Sequence, residues 1–182
     1  YVHQAVATKF LEILKNKAEQ LKAGESYGAA TRPAQLEIIK RHVRDALEKG
    51  KELLGSNASI GERFVEPVIV TDVPEDAPSM REETFGPVAP LFRFDTETEV
   101  VQRANDTEFG LAAYFYTRDL ARSWRVQEAL EYGIVGVNTG LISSEVAPFG
   151  GVKESGLGRE GSRHGIDEYT EMKYVCVGGL SS

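Results

Sequence analysis

Following Val6, apolar residues at Phe10, Ile13, Leu14 and Leu21 recur at a spacing that places them on one face of a helix, so a helix is predicted to about Leu21, ended by Ala23-Gly24. A polar loop containing Gly and Ala follows. Thr31 and Pro33 supply a second helix start, and Leu36, Ile39, Val43, Ala46 and Leu47 repeat the helical spacing until Gly50 or Gly55. Residues 55–78 read as proline-bearing loops around one short strand over 68–71.

The second half is more regular. Residues 88–94 read as a strand, and Thr96 with Glu99 forms a Thr-x-x-Glu capping box before a helix over 97–104. Residues 111–116 read as a strand. Leu120, Trp124 and 127–130 mark a helix stopped by Gly133, and 134–138 is a continuous apolar strand. Strands that alternate with helices, and that are too apolar to alternate in polarity, predict an α/β fold with a parallel sheet covered on both faces. Glycines at 140, 150, 151, 156, 158, 161 and 165 then make an irregular run, of the kind that carries sites at the carboxyl ends of parallel strands. A short helix from about Ile166 and a final strand over 173–177 complete the pattern.

Composition narrows the function classes. With 182 residues, 41% hydrophobic and 27% charged, the chain can bury one sizeable core. A net charge of −7, with Lys and Arg mixed among Glu and Asp, argues against nucleic acid, which needs a positive surface to replace counterions. The single cysteine, Cys176, permits no internal disulfide and fits a reducing compartment, cytoplasm or mitochondrial matrix. His3, His42 and His164 stand far apart with no ligand partners at metal-site spacing, so no metal is expected. No apolar run approaches the roughly 20 residues that cross a bilayer, and no membrane or secretory role is expected. Tyr1-Val2-His3-Gln4 lacks an initiator methionine and reads as the middle of a longer chain.

Gly156-Leu157-Gly158-Arg159-Glu160-Gly161 matches the G-x-G-x-x-G dinucleotide pattern. That pattern works only when a strand feeds the loop, a helix N-terminus faces the pyrophosphate and an acidic residue follows about 20 positions on. Residues 148–155 are a glycine-bearing loop and too little chain remains, so these glycines are read as tight backbone turns.

Three other words carry a family likeness. Glu82-Glu83-Thr84-Phe85-Gly86-Pro87-Val88, Ala104-Asn105-Asp106-Thr107-Glu108-Phe109-Gly110-Leu111-Ala112-Ala113 and Pro148-Phe149-Gly150-Gly151-Val152-Lys153-Glu154-Ser155-Gly156 resemble, in order, segments of the aldehyde dehydrogenase family. The likeness covers nearly the whole chain and is weakest over 23–33. Gly140-Leu141-Ile142-Ser143-Ser144 and the ending Tyr174-Val175-Cys176-Val177-Gly178-Gly179-Leu180 are similar to the succinate semialdehyde type. The resemblance implies the carboxyl-terminal portion of such an enzyme. Residues 1–169 would belong to a three-layer, parallel-sheet catalytic domain, and 170–182 would be an oligomerisation strand and tail joining a dimer or tetramer.

In the family a cysteine thiolate attacks the aldehyde, hydride passes to NAD or NADP, and a glutamate-activated water releases the acid. The nucleophile, base, oxyanion-holding Asn and dinucleotide-binding half match no position here, so no catalytic residue is assigned and the chain alone is expected to be inactive. Cys176 matches no nucleophile motif and reads as a strand residue. Glu83 corresponds to the glutamate that accepts the nicotinamide ribose hydroxyls, and Phe85 to the aromatic residue beside the nicotinamide. Ser143 matches a serine at the substrate's distal carboxylate, and Phe149 a residue of the aldehyde tunnel. Without the likeness, Glu83 reads as a surface acid, Phe85 as core and Ser143 as a loop serine bonding its own backbone. The arginines that pair with the carboxylate in such enzymes match no position. Two alternatives stay open: a catalytically dead module kept for oligomerisation or protein contact, and an aldehyde dehydrogenase of another substrate type.

Overall fold

The computed structural model describes residues 1–55 and 63–179. The chain divides into two compact units, Tyr1–Val100 and Val101–Ser182.

In the first unit, β1 (Val2–His3) leads into α1 (Gln4–Ala18). His3 caps the helix, its Nδ1 accepting the Ala5 amide at 3.1 Å and satisfying one donor that a helix start leaves open. The helix buries Ala7, Leu11 and Ala18. Val6, Phe10 and Ile13, the apolar face expected from periodicity, occupy an adjacent stripe and are exposed.

α2 (Pro33–Lys49) begins at its proline because the first helical position needs no N–H. It ends at Gly50, where a Cβ would lie 2.8 Å from the carbonyl oxygens of both Ala46 and Thr71. Leu36, Ile39, Val43 and Ala46 face a core that includes Val65, Val68, Val70 and Phe92. Full burial of a side chain such as Ile39 stabilises by about 1.5–3 kcal/mol. β2 (Lys51–Leu54), β3 (Val68–Thr71), α3 (Pro78–Arg81) and β4 (Val88–Leu91) follow. β3 is the middle strand of three, antiparallel to β2 and parallel to β4, with Val68 opposite Val88 and Thr71 opposite Leu91. That position explains why Val68, Ile69 and Val70 are all buried.

The strand expected over 88–94 divides at Phe92. That residue is buried, its carbonyl accepts the Val2 amide at 2.7 Å, and β5 (Arg93–Phe94) pairs in parallel with β1. One apolar run thus serves two sheets. α4 (Glu97–Asn105) carries the expected cap in a shifted form. Thr96 Oγ1 accepts the Glu99 amide at 3.2 Å, while the Glu99 carboxylate accepts the amide of Asp95 at 3.0 Å.

In the second unit, β6 (Phe109–Gly110), β7 (Ala112–Phe115), α5 (Leu120–Ala129), β8 (Ile134–Val137), β9 (Val152–Lys153) and a 3-10 helix, Gly165–Tyr169, follow in order. β7 and β8 are parallel and joined by α5, the strand–helix–strand unit expected from the pattern. Asp119 caps α5 by accepting the Arg122 amide at 2.9 Å, a bond that holds its carboxyl below the usual carboxylate range. Asn138 closes the strand ends reciprocally: its Oδ1 accepts the Thr117 amide and its Nδ2 donates to the Thr117 carbonyl, each at 2.8 Å.

The fold is mixed α/β rather than one parallel sheet. β6 with β9 and β2 with β3 are antiparallel, and the described strands form four small sheets. Two-residue strands carry no periodicity that a sequence pattern could register. The final strand expected over 173–177 is not formed among the described residues; residues 171–179 are exposed and carry no regular element, because a strand needs a neighbouring edge to complete its hydrogen bonds. Part of the loop expected over 55–78, and Leu180 of the family ending, lie outside the described residues.

Candidate cofactor-binding site

The three family words acquire physical roles. In the first unit, the turn over 82–87 joins α3 to β4 and lies against α2. Gln35 Nε2 donates to the carbonyls of Thr84 and Phe85. Arg41 forms a two-pronged ion pair with Glu82. The fully buried His42 places Nδ1 2.9 Å from Thr84 Oγ1. At Gly86 the approach to α2 is so close that a Cβ would lie 2.7 Å from Ile39 Cδ1. Phe85 is held in the left-handed region, φ +45°, with its ring 77% exposed.

Glu83 and Phe85 line an open cavity of about 650 Å³ together with Tyr27, Arg32, Gln35 and Gly86. The Glu83 carboxylate is exposed and makes no hydrogen bond or ion pair among the described residues, which leaves both oxygens to accept from a ligand. Tyr27 closes one side by donating to the Val65 carbonyl at 2.6 Å; burial, then the nearby Glu66 charge, pushes its phenol above 10.0 and keeps it a donor. The cavity therefore offers an acceptor pair for a diol beside an open aromatic face. This pairing of acceptor and ring fits the ribose and nicotinamide of a dinucleotide.

The Glu82 carboxyl is held below its ordinary 4.5, first by the Arg41 hydrogen bonds. Its depressed folded value means that the pair supports the turn fully above pH 4.5, and that the support is lost as pH falls through the folded value. The thermal midpoint gap between wild type and Glu82→Gln is expected to be small, since the pair is exposed, to be constant at neutral pH and to narrow as pH falls below 4.5. A gap that widens on acidification would contradict the ion-pair role.

The other two words meet in the second unit. Lys153 Nζ donates to the carbonyls of Asn105 at 2.9 Å and Thr107 at 3.2 Å and pairs with Glu131 at 2.7 Å. Asn105 in turn ties down the end of α5, donating to Ala129 O at 2.8 Å and accepting the Glu131 amide at 3.0 Å. Phe149 is half-buried, its backbone exchanging two hydrogen bonds with Glu160 at 2.7 and 2.9 Å. Ser143 is exposed and makes no hydrogen bond among the described residues. A shallow cavity nearby is lined by Glu145, Val146, Pro148, Ser162, Arg163 and His164, not by Ser143 or Phe149. The structure therefore brings Glu83 and Phe85 into one cavity, whereas Ser143 and Phe149 do not line the cavity formed by residues 145–164.

Gly156, Gly158 and Gly161 all have positive φ, at 110°, 77° and 68°, and Arg159 Nη1 donates to the carbonyls of Gly151 and Gly158. These are the tight turns expected of that run. Cys176 lies exposed in the irregular tail. Sequence reasoning passed over Gln35, Arg41, His42 and Thr84 as site components. The one available signal was His42, a polar residue on the apolar stripe of α2.

Residues 1–175 match the Aldehyde dehydrogenase family, and the chain belongs to that family. It is 52% identical to the NADP+-dependent succinate-semialdehyde dehydrogenase of Escherichia coli, over 98% of this chain and 39% of that protein. It is 50% identical to a glutarate-semialdehyde dehydrogenase of Pseudomonas aeruginosa, over 99% of this chain and 39% of that protein. The crystal structure of the succinate-semialdehyde dehydrogenase from Burkholderia pseudomallei superposes with a TM-score of 0.90 at 52% identity, over 97% of this chain and 38% of that one. The chain thus spans about two-fifths of the length of these relatives.

Proposed function

We propose that this chain is the carboxyl-terminal part of an NAD(P)+-dependent aldehyde dehydrogenase whose substrate bears a terminal carboxylate, succinate semialdehyde foremost. The observation that carries the reading is the cavity in which a Glu83 carboxylate without a partner among the described residues and an open Phe85 ring stand together. When bound, the nicotinamide dinucleotide supplies the hydride acceptor. The work of this chain is positional: Glu83 accepts the ribose hydroxyls, Phe85 packs beside the ring, and the turn anchored on α2 fixes both. The relatives named for succinate and glutarate semialdehydes support an aldehyde with an anionic far end. Ser143 is assigned to that carboxylate as a hydroxyl donor, and Phe149 to the wall of the aldehyde tunnel.

The nucleophile and base belong to the remainder of the protein. The exposed apolar residues of α1, with Tyr114 and Trp124 in the second unit, support a larger body that covers them. Residues 1–169 are assigned to a three-layer catalytic domain, and 170–182 to a strand that pairs with a partner subunit in a dimer or tetramer. The exposed backbone over 171–179, which enters no strand pair among the described residues, supports that assignment. No described helix is long and apolar enough to cross a membrane. The cytoplasm or mitochondrial matrix is the proposed location.

The test is turnover by the complete protein. Succinate semialdehyde is expected to be oxidised with NADP+ far better than an uncharged aldehyde of the same length, and the isolated chain is expected to oxidise neither. Ser143→Ala should raise KM for the carboxylate-bearing aldehyde by about 10-fold, the loss of one hydrogen bond to a charged group, and leave the uncharged aldehyde unchanged. Equal effects on both aldehydes would mark loop damage. No turnover of any aldehyde by the complete protein would favour a non-catalytic interaction module.

A further inference from the structure

The turn over 82–85 is anchored to α2 at every residue except the one proposed to meet the cofactor. Glu82 is held by Arg41, Thr84 by Gln35 and His42, and Phe85 by Gln35. Only Glu83 has a side chain and backbone free of these ties. The anchors differ in strength. Arg41 and Glu82 are about half exposed, at 53% and 47%, so water competes for their pairing. His42 is 0% exposed, so its bond to the half-buried Thr84 meets less competition from water than the Arg41–Glu82 pair does.

A histidine is a costly way to fill a helix core position, since an apolar side chain of similar size would need no partners there. Two of the three partners it has lie on the turn, and the third, Arg41, is itself paired to the turn. Nδ1 is 2.9 Å from Thr84 Oγ1, and Nε2 is 3.5 Å from Glu82 Oε2 and 3.4 Å from Arg41 Nη2. A hydroxyl both donates and accepts, so the bond to Thr84 survives in either ring tautomer. The ring thereby touches the residues on both sides of Glu83. Phe85 is the second reason for a firm anchor. A left-handed, non-glycine backbone persists only where its surroundings hold it.

We propose that His42, acting through the Thr84 hydroxyl, is a positioning residue that sets the turn carrying Glu83 and Phe85 and so governs how well the nicotinamide end of the cofactor is held. This rests on the cofactor reading of Glu83. It makes no contact with cofactor or substrate itself, and the adenosine end of the dinucleotide lies beyond its influence.

The experiment uses the complete enzyme. Thr84→Val keeps the shape and removes the hydroxyl; His42→Leu removes the ring partner; His42→Asn returns an amide near the place of Nδ1. Dissociation constants for NADPH and for 2′,5′-ADP are measured by fluorescence titration, with single-turnover hydride transfer alongside. Thr84→Val and His42→Leu are expected to weaken NADPH binding or slow hydride transfer roughly 2- to 12-fold, the range spanned by loss of one neutral hydrogen bond. Affinity for 2′,5′-ADP should stay at the wild-type value, His42→Asn should recover most of the loss, and the double variant should be no worse than the worse single. Wild-type behaviour in Thr84→Val, or an equal loss for 2′,5′-ADP and NADPH, would overturn the proposal, and Thr84→Val decides it even if His42→Leu does not fold. Glu83→Gln run in parallel separates the two levels. If Glu83→Gln impairs the cofactor and Thr84→Val does not, only the role of His42 falls; if Glu83→Gln changes nothing, the cofactor reading falls and takes His42 with it.

Discussion

Glu83→Gln in the complete enzyme is expected to slow hydride transfer about 10- to 150-fold, the loss that follows from removing a hydrogen bond to a charged group worth roughly 1.5–3 kcal/mol. The substitution keeps size and shape and removes only the charge and one acceptor oxygen. Glu83 makes no ion pair among the described residues, so its neutralisation disturbs no internal pairing. The turn should stay in place, because Arg41, Gln35 and His42 hold the residues around it. The loss should therefore appear mainly in the rate of the hydride step, as the ring samples poses away from the reacting carbon, rather than in the overall affinity of a long cofactor held at other points. Single-turnover absorbance at the reduced nicotinamide band measures it directly. An unchanged rate together with unchanged cofactor affinity would remove Glu83 from the site.

Gly133→Ala is expected to destabilise the second unit by about 3 kcal/mol, at the upper end of overpacking effects. The residue sits where β7 and β8 come together, its amide donating to Gly110 O at 3.0 Å. A Cβ there would run into the Gly150 carbonyl and lie 2.9 Å from Gly151 Cα, all of it backbone with no flexible side chain to yield. The opposing backbone is itself pinned, by Arg159 Nη1 on Gly151 O at 2.9 Å and by the exchange between Phe149 and Glu160. For a unit of this size the corresponding fall in thermal midpoint is about 12–24 °C. Gly178→Ala, with nothing within 4 Å and no positive φ, is the neutral control. A Gly133→Ala protein that melts with wild type would show that the 150–151 segment moves aside freely.

What could be read in advance was what a continuous stretch of chain decides for itself. Pro33 began α2 and Gly50, one of the two glycines offered for its end, closed it; the run over 68–71 was a buried strand, and Thr96 with Glu99 marked the start of α4, because the 3.6-residue and two-residue periods and end-capping act over a few neighbours. Asp119 belongs to the same class and was passed over, although its spacing to Arg122 is a capping spacing. The residues of the site were found through the family words and not through periodicity, which left Glu83 a surface acid.

Tertiary structure decided the rest, and the reason is distance along the chain. β1 is a strand only because Phe92 and Arg93 arrive beside it, and β6 only because Val152 and Lys153 do. Lys153 bonds to Asn105 and Thr107 across more than 40 positions, so two motifs that look separate in sequence form one joint. The division of the 88–94 run between two sheets depends on where Phe92 finds a pocket. His42 looks from sequence like a flaw in an apolar stripe, and becomes intelligible when the turn over 82–85 folds back onto α2. A chain's own neighbours set its helices and capping, while edges, partners and the faces that meet a ligand exist only once remote segments share space.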